Sequence, residues 1–330
     1  MGMKDKCESI DMRVDLAGME LRNPVILASG TWGYGMEVPD IIEQVDSSRL
    51  GGIALKGIFY EPRRGNRTPR LAETPGGLLN AIGLEGVGVK AMVEEILPSL
   101  HPRRTRIFVN ICGTSKEEYA RITGELVQKA WDLFDAIEVN ISCPNLDCGG
   151  MEFGTDPKAA AEVTGAVRNA AKGKPVYVKL TPLVTDLSSI ALAVAETGAE
   201  GLSLVNTYPA MLIDLDRRKP VLAKNFGGLS GPAIRPMALR AVCLVRKALK
   251  THGLGTAIIG MGGISSGRDA LEFLVAGADA ISLGTINFLN PLAYEKILSE
   301  MEEIMRDRFA QAGNPEDLRV RSWSGTLTLN

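Results

Sequence analysis

Short apolar runs and amphipathic stretches alternate along this chain. Eight runs rich in Val, Ile, Leu and Ala predict strands over residues 25–28, 52–56, 106–110, 136–140, 176–180, 201–206, 257–260 and 280–284. Several are continuously apolar, the pattern of strands buried on both faces. Between most of them, apolar positions recur at three- and four-residue spacing. The clearest predicted helices span 115–129, 157–171, 187–197, 234–249 and 266–276. Eight strand–helix units in 330 residues predict an α/β fold, a (β/α)8 TIM barrel. A doubly wound open sheet is the alternative. It needs a glycine fingerprint opening a helix after the first strand. The segment Ser29-Gly30-Thr31-Trp32-Gly33-Tyr34-Gly35 has glycines without that spacing.

Residues 13–16 and 19–21 flank Gly18 and predict a β-hairpin at the barrel bottom. Two connections, 57–88 and 207–234, are long, and long loops in compact domains are usually functional. Both follow a predicted barrel strand, which puts both on the C-terminal face. The whole chain, 1–330, is expected to be one barrel domain, with 1–11 and about 306–330 as terminal extensions.

Composition narrows the field. An apolar content of 45% supplies a full core, and a net charge of -2 gives no basic footprint for nucleic acid. No apolar run is long enough to span a bilayer. Five cysteines (Cys7, Cys112, Cys143, Cys148, Cys243) are odd in number and scattered, which fits a reducing cytoplasm without a disulfide framework. With two histidines, His101 and His252, and no paired Cys spacing, no protein-held metal is expected.

Chemistry concentrates at predicted strand ends. Gly260-Met261-Gly262-Gly263 follows the seventh strand, and Gly284-Thr285 closes the eighth. Loops at these places commonly bind phosphate, because glycine lets backbone N–H groups approach its oxygens. Plain turn glycines are the simpler reading, and the signal alone specifies only a phosphorylated ligand. Lys56 and Lys179 lie near strand ends among apolar neighbours, where a lysine needs an anion. The electron-rich edge of a reduced flavin fits that role; a Schiff-base lysine is the competing reading. Asn80, Asn110, Asn140, Asn145 and Asn206 recur at strand ends and loops. Any one serves as a turn or cap residue. Together they suit a ring with alternating N–H and C=O groups. In Asn140-Ile141-Ser142-Cys143-Pro144-Asn145, a thiol sits between two amides just after a strand, placed for acid–base work. An inert buried thiol is the commoner fate of a lone cysteine. Cys148 has no comparable setting and reads as a bystander.

These motifs, in this order, resemble the class 1B dihydroorotate dehydrogenases over roughly residues 14–305. The resemblance rests on the Asn140–Asn145 loop, the following Gly149-Gly150-Met151-Glu152-Phe153-Gly154, and Asn80-Ala81-Ile82-Gly83-Leu84. It implies an FMN enzyme that oxidises (S)-dihydroorotate to orotate in pyrimidine biosynthesis. By that likeness Cys143 is the catalytic base. Lys56, Asn80, Ala81, Ile82, Gly83, Leu84, Asn140, Asn145, Asn206 and Thr207 contact substrate. Ser29, Lys56, Gly57, Asn110, Asn140, Lys179, Val205, Gly231, Gly262, Gly263, Gly284 and Thr285 hold FMN. The likeness further implies a homodimer and a partner subunit carrying FAD and an iron–sulfur cluster, which passes electrons to NAD. Cysteine at 143 separates the chain from quinone-linked relatives, which have serine there. One departure falls after Leu84, where the family reads Gln-Asn-Pro-Gly and this chain has Glu85-Gly86-Val87-Gly88. Two rival functions are a dihydropyrimidine dehydrogenase-like enzyme acting on uracil or thymine, and a flavin-free barrel serving as a binding subunit.

Overall fold

The computed structural model describes residues 9–35, 37, 45–100, 105–142 and 153–329. In chain order the strands are β1 (Val14–Leu16), β2 (Met19–Leu21), β3 (Val25–Leu27), β4 (Gly52–Ala54), β5 (Leu71–Thr74), β6 (Gly77–Asn80), β7 (Arg106–Ile111), β8 (Ala136–Asn140), β9 (Val176–Lys179), β10 (Gly201–Leu204), β11 (Tyr208–Ala210), β12 (Ile213–Asp214), β13 (Lys219–Pro220), β14 (Gly227–Ser230), β15 (Ala257–Met261) and β16 (Ala280–Leu283). The eight runs anticipated from the apolar pattern are β3, β4, β7, β8, β9, β10, β15 and β16. They form a closed parallel barrel in the order β10-β15-β16-β3-β4-β7-β8-β9. The fold is a (β/α)8 barrel.

The helices are α1 (Val89–Ala91), running through a π turn (Met92–Ile96) into α2 (Leu97–Leu100), then α3 (Lys116–Ala130), α4 (Pro157–Ala171), α5 (Leu187–Glu196), α6 (Arg235–Thr251), α7 (Gly267–Ala276), α8 (Ile286–Leu289) and α9 (Ala293–Ala312). Their starts are written in the sequence. Ser115, Asp156, Asp186 and Ser266 each accept a hydrogen bond from a backbone N–H of the first turn. Such caps satisfy donors that no helical carbonyl can reach. Pro157 opens α4, where its missing N–H costs nothing. Among the described residues, no helix is long and apolar enough to cross a membrane.

The β1–β2 hairpin plugs the bottom of the barrel. Leu16 and Leu21 are buried, and the Tyr177 hydroxyl donates to the Leu16 carbonyl at 2.7 Å. Tyr177 meets Phe108 edge to face, with ring centroids 5.4 Å apart. Two glycines make room for these rings. A β-carbon at Gly52 would lie 2.8 Å from Phe108, and one at Gly201 would lie 2.4 Å from Tyr177.

Strand register carries the interior upward from this aromatic layer. Phe108 pairs with Ala136, Asn110 with Glu138, Glu138 with Tyr177, Asn140 with Lys179, and Lys179 with Ser203. Residues paired in a parallel ladder point to the same face. Beside and above Phe108 and Tyr177, the interior therefore turns polar: Asn110, Glu138, Ser203, Lys179 and Asn140.

The two long connections are not irregular loops. Their strands join into one antiparallel sheet, β11-β14-β6-β5, and β12 pairs with β13 as a small hairpin beside it. The pairing partners are far apart in sequence, Asn80 with Gly228 and Leu79 with Leu229, so local pattern alone could not reveal it. The sheet belongs to the C-terminal face, since each of its hairpins follows a barrel strand.

The residues after 305 pack on the barrel. Positions 306–312 continue α9. Beyond it, the Asp11 N–H donates to Leu318 and the Val320 N–H donates to Asp11, both at 2.9 Å. The Leu327 N–H then donates to Val275 at 3.0 Å.

Candidate active site

The C-terminal mouth of the barrel gathers most of the predicted residues. Lys179, at the top of β9, is only 7% exposed. Among the described residues, no carboxylate lies within ion-pair distance of its ammonium. A buried cation without a counter-ion is costly, so this position is prepared for an anion or an electron-rich edge. Asn140 stands beside it in register. The Asn140 carbonyl accepts from the Tyr119 hydroxyl at 2.6 Å, and its Oδ1 accepts from the Ser142 N–H at 3.2 Å. On the next strand, the Ser142 hydroxyl donates to the Lys179 carbonyl at 3.3 Å. These bonds fix the strand end that precedes Cys143 in the sequence. Cys143, Asn145 and Cys148 lie outside the described residues.

Gly57 crosses close to Asn110. A β-carbon at Gly57 would sit 2.6 Å from Asn110 Oδ1 and 3.0 Å from Cys112 Sγ. Lys56 is held by its own N–H, which donates to Gly33 at 2.8 Å. Its Nζ lies 5.9 Å from the centre of the Tyr34 ring. The Tyr34 hydroxyl donates to the Gly57 carbonyl at 3.3 Å and accepts from the Val87 N–H at 3.1 Å. Burial pushes the Tyr34 phenol up to about 12. These contacts also account for the departure after Leu84. A β-carbon at Gly86 would lie 2.6 Å from the Tyr34 oxygen and 2.7 Å from the Gly57 carbonyl oxygen, so the segment needs glycine there. Glu85 forms an ion pair with Arg70.

The glycine-rich elements converge as a cradle. Gly262 and Gly263 have φ of +129° and +77°. A β-carbon at Gly263 would lie 2.6 Å from the carbonyl oxygen of Gly231 and 2.9 Å from the Arg235 β-carbon, at the start of α6. The Thr285 hydroxyl donates to Ser230 Oγ at 2.8 Å. Among the described residues, the backbone N–H groups of Gly262, Gly263, Gly284 and Thr285 have no backbone acceptor. Close packing, positive φ and free donors together fit a phosphate group. Ser29 follows β3, next to this cradle, where the Ala28 N–H donates to Leu283 at 2.8 Å. Val205 caps β10, its N–H donating to Met261 at 3.2 Å.

The four-stranded sheet brings a second group of residues. Asn80 Nδ2 donates to the Gly228 carbonyl at 3.1 Å. A β-carbon at Gly228 would lie 2.0 Å from Thr207 Oγ1, so Asn80 and Thr207 meet across one glycine. The Asn206 N–H donates to Leu180 at 3.0 Å, and Asn206 Oδ1 accepts from the Thr207 N–H at 2.9 Å. Asn66 shapes the segment after Asn80: its N–H donates to Ile82 at 2.9 Å and its Nδ2 to Ala81 at 2.8 Å. Gly83 and Leu84 both take positive φ, at +75° and +57°. For leucine this is an uncommon conformation, of the kind that concentrates at functional segments.

Two interior residues were missed from the sequence. Glu138 and Ser203 are buried and hydrogen-bonded to each other at 2.7 Å. The available signal was a carboxylate inside the apolar run Ala136-Ile137-Glu138-Val139, which a buried strand tolerates only with partners. Among the described residues, no cluster of metal-ligating side chains is present.

Fold and mouth together define a (β/α)8 barrel with a glycine-rich cradle at the last two strands and an amide-lined, lysine-bearing interior. Comparison with known proteins narrows the class. The profile of the family described as dihydroorotate dehydrogenase matches residues 11–305, and the chain belongs to that family. It is 50% identical over 300 residues to the "Dihydroorotate dehydrogenase B (NAD(+)), catalytic subunit" of Geobacter sulfurreducens, covering 90% of this chain and 94% of that one. A protein of the same description from Desulforamulus reducens is 48% identical over 298 residues, again covering 90% and 94%.

Proposed function

We propose that this chain is the catalytic subunit of an NAD-linked dihydroorotate dehydrogenase, an oxidoreductase of pyrimidine biosynthesis that converts (S)-dihydroorotate to orotate. Family membership supports the activity. The observation that carries the site reading is buried Lys179, beside Asn140 in register and without a counter-ion among the described residues, together with a glycine cradle whose N–H groups have no backbone acceptor among those residues. These features fit FMN: the cradle suits its single phosphate, and Lys179 suits charge gathering on the reduced ring. The chain then acts as one FMN-binding barrel domain in the cytoplasm.

In this reading, Lys56, Asn140, Asn145, Asn206 and Thr207 orient the pyrimidine ring and its carboxylate, with Asn80 through Leu84 closing over it. Cys143, as thiolate, takes the proton from C5 of dihydroorotate. Bound FMN supplies the acceptor for the hydride that leaves C6 as the C5–C6 double bond forms. The printed description "catalytic subunit" of the relatives supports a partner subunit, and we assign it the FAD and iron–sulfur centres that carry electrons to NAD. A homodimer of this chain completes the assembly.

The test is a substrate and acceptor comparison on purified protein supplied with FMN. Dihydroorotate should reduce an artificial dye with this chain alone. Dihydrouracil should not drive the reaction, since it lacks the carboxylate. NAD reduction should be slow until an FAD- and iron–sulfur-bearing partner is added. Rapid NAD reduction by the isolated chain would defeat the two-subunit assignment, and protein that never binds flavin would defeat the enzyme reading.

A further inference from the structure

Glu138 is a buried carboxylate that the chemistry above leaves unused. It sits in the barrel interior, 3% exposed, paired in register with Tyr177. Its Oε2 accepts from Asn110 Nδ2 at 2.7 Å, and its Oε1 accepts from the Ser203 hydroxyl at 2.7 Å. Both neighbours donate to it, and an ionised carboxylate can only accept.

That one-way polarity decides how Asn110 faces the site. An asparagine amide has a donor end and an acceptor end of nearly the same shape. Opposite a carboxylate, only the NH2 end can turn inward. Oδ1 is then directed to the side of Gly57, where a β-carbon would lie 2.6 Å from it, and the Cys112 thiol stands 3.7 Å away. Glutamine at 138 would remove this constraint, since its own amide can accept or donate.

We propose that Glu138 is a positioning residue: it locks the Asn110 amide so that its oxygen, not its nitrogen, is offered to the flavin ring. The proposal rests on the assignment of Asn110 to the flavin site. The pyrimidine end of a flavin carries an N–H between two carbonyls, so a fixed acceptor pairs with it where a flipped amide would set donor against donor. Ser203 donates to the other carboxylate oxygen.

The experiment uses the full chain and four variants: Glu138→Gln, Asn110→Ala, the double variant, and Ser203→Ala. FMN affinity is measured by flavin-fluorescence titration, the bound-flavin absorption bands are recorded, and thermal unfolding monitors the fold. Glu138→Gln should weaken FMN binding roughly three- to tenfold, the range of one hydrogen bond, and shift the absorption bands. In the Asn110→Ala background it should change neither, since the two residues act as one unit. Ser203→Ala preserves the carboxylate's polarity and should leave affinity and spectrum near wild type; it also tests the idea if Glu138→Gln does not fold. Equal effects of Glu138→Gln in both backgrounds would overturn the proposal, as would wild-type binding by Glu138→Gln alongside weakened binding by Asn110→Ala. A Ser203→Ala loss as large as that of Asn110→Ala would also overturn it. Unchanged affinity and spectrum in Asn110→Ala would remove the premise, and so would point to the flavin-site assignment as the failure.

Discussion

Gly263 lies so close to Gly231 that a β-carbon at Gly263 would come within 2.6 Å of the Gly231 carbonyl oxygen. Its φ of +77° is also one that side chains rarely adopt. Gly263→Ala should therefore push the two cradle loops apart and weaken FMN binding by about tenfold, ~1.4 kcal/mol. Gly124, inside α3, has no atom within 4 Å of its would-be β-carbon. Gly124→Ala should stabilise the protein by about 0.5–1 kcal/mol and leave FMN binding alone. Titration of both variants with FMN checks the contrast; equal affinity in the two would show that the cradle does not hold the phosphate.

Lys179 should set the electron affinity of the bound flavin. Lys179→Met keeps most of the volume and removes the charge. The flavin midpoint potential should become more negative, and flavin reduction by dihydroorotate should slow by about 10²-fold, as when one preorganised electrostatic group is lost. A redox titration and rapid-mixing kinetics measure the two effects. An unchanged potential would mean that the lysine does not face the ring.

Cys143 carries the proton transfer in the proposed chemistry. Cys143→Ala should slow flavin reduction by ~10²–10⁴-fold while FMN stays bound, and Cys148→Ala should do little. Cys143→Ser should retain some activity that rises at high pH, because a hydroxyl is a far weaker acid than a thiol. Single-turnover kinetics across pH separate these cases, and equal losses at both cysteines would point away from a specific base.

Alkaline stability should reflect buried phenols, Tyr177 among them, whose pKa burial raises. Burial pushes both Tyr34 and Tyr294 up to about 12, against about 10 in an unfolded chain. A raised folded value means that the folded state holds its proton more tightly. The contribution is present in full below pH ~10 and is lost as pH rises toward 12. Chemical denaturation at a series of pH values should show stability falling across that window, and Tyr34→Phe with Tyr294→Phe should make the fall shallower, leaving the part due to Tyr177.

The barrel was legible because its strands are apolar on both faces and its helices announce their starts. Ser115, Asp156, Asp186 and Ser266 cap the helices, and each strand of the barrel falls within or beside its predicted run. The convergence of the cradle glycines and of Asn80, Asn110, Asn140 and Asn206 on one end of the barrel was legible for a similar reason. Their backbone and amide chemistry is local, and strand ends in a barrel share one face.

The chain's pattern thus determined the barrel, its polar mouth and the residue types gathered there. Tertiary structure alone decided three things. Residues 57–88 and 207–234 become a shared antiparallel sheet through the pairing of Asn80 with Gly228, a contact between segments too far apart for any local pattern to encode. Gly86 fits the mouth where the family has a different segment, because Tyr34 and Gly57 crowd it. Glu138 is placed beneath the site, because the register of β7, β8 and β10 brings Asn110 and Ser203 to its two oxygens. Periodicity reports which face of an element is buried; only closure of the barrel sets which buried polar groups meet.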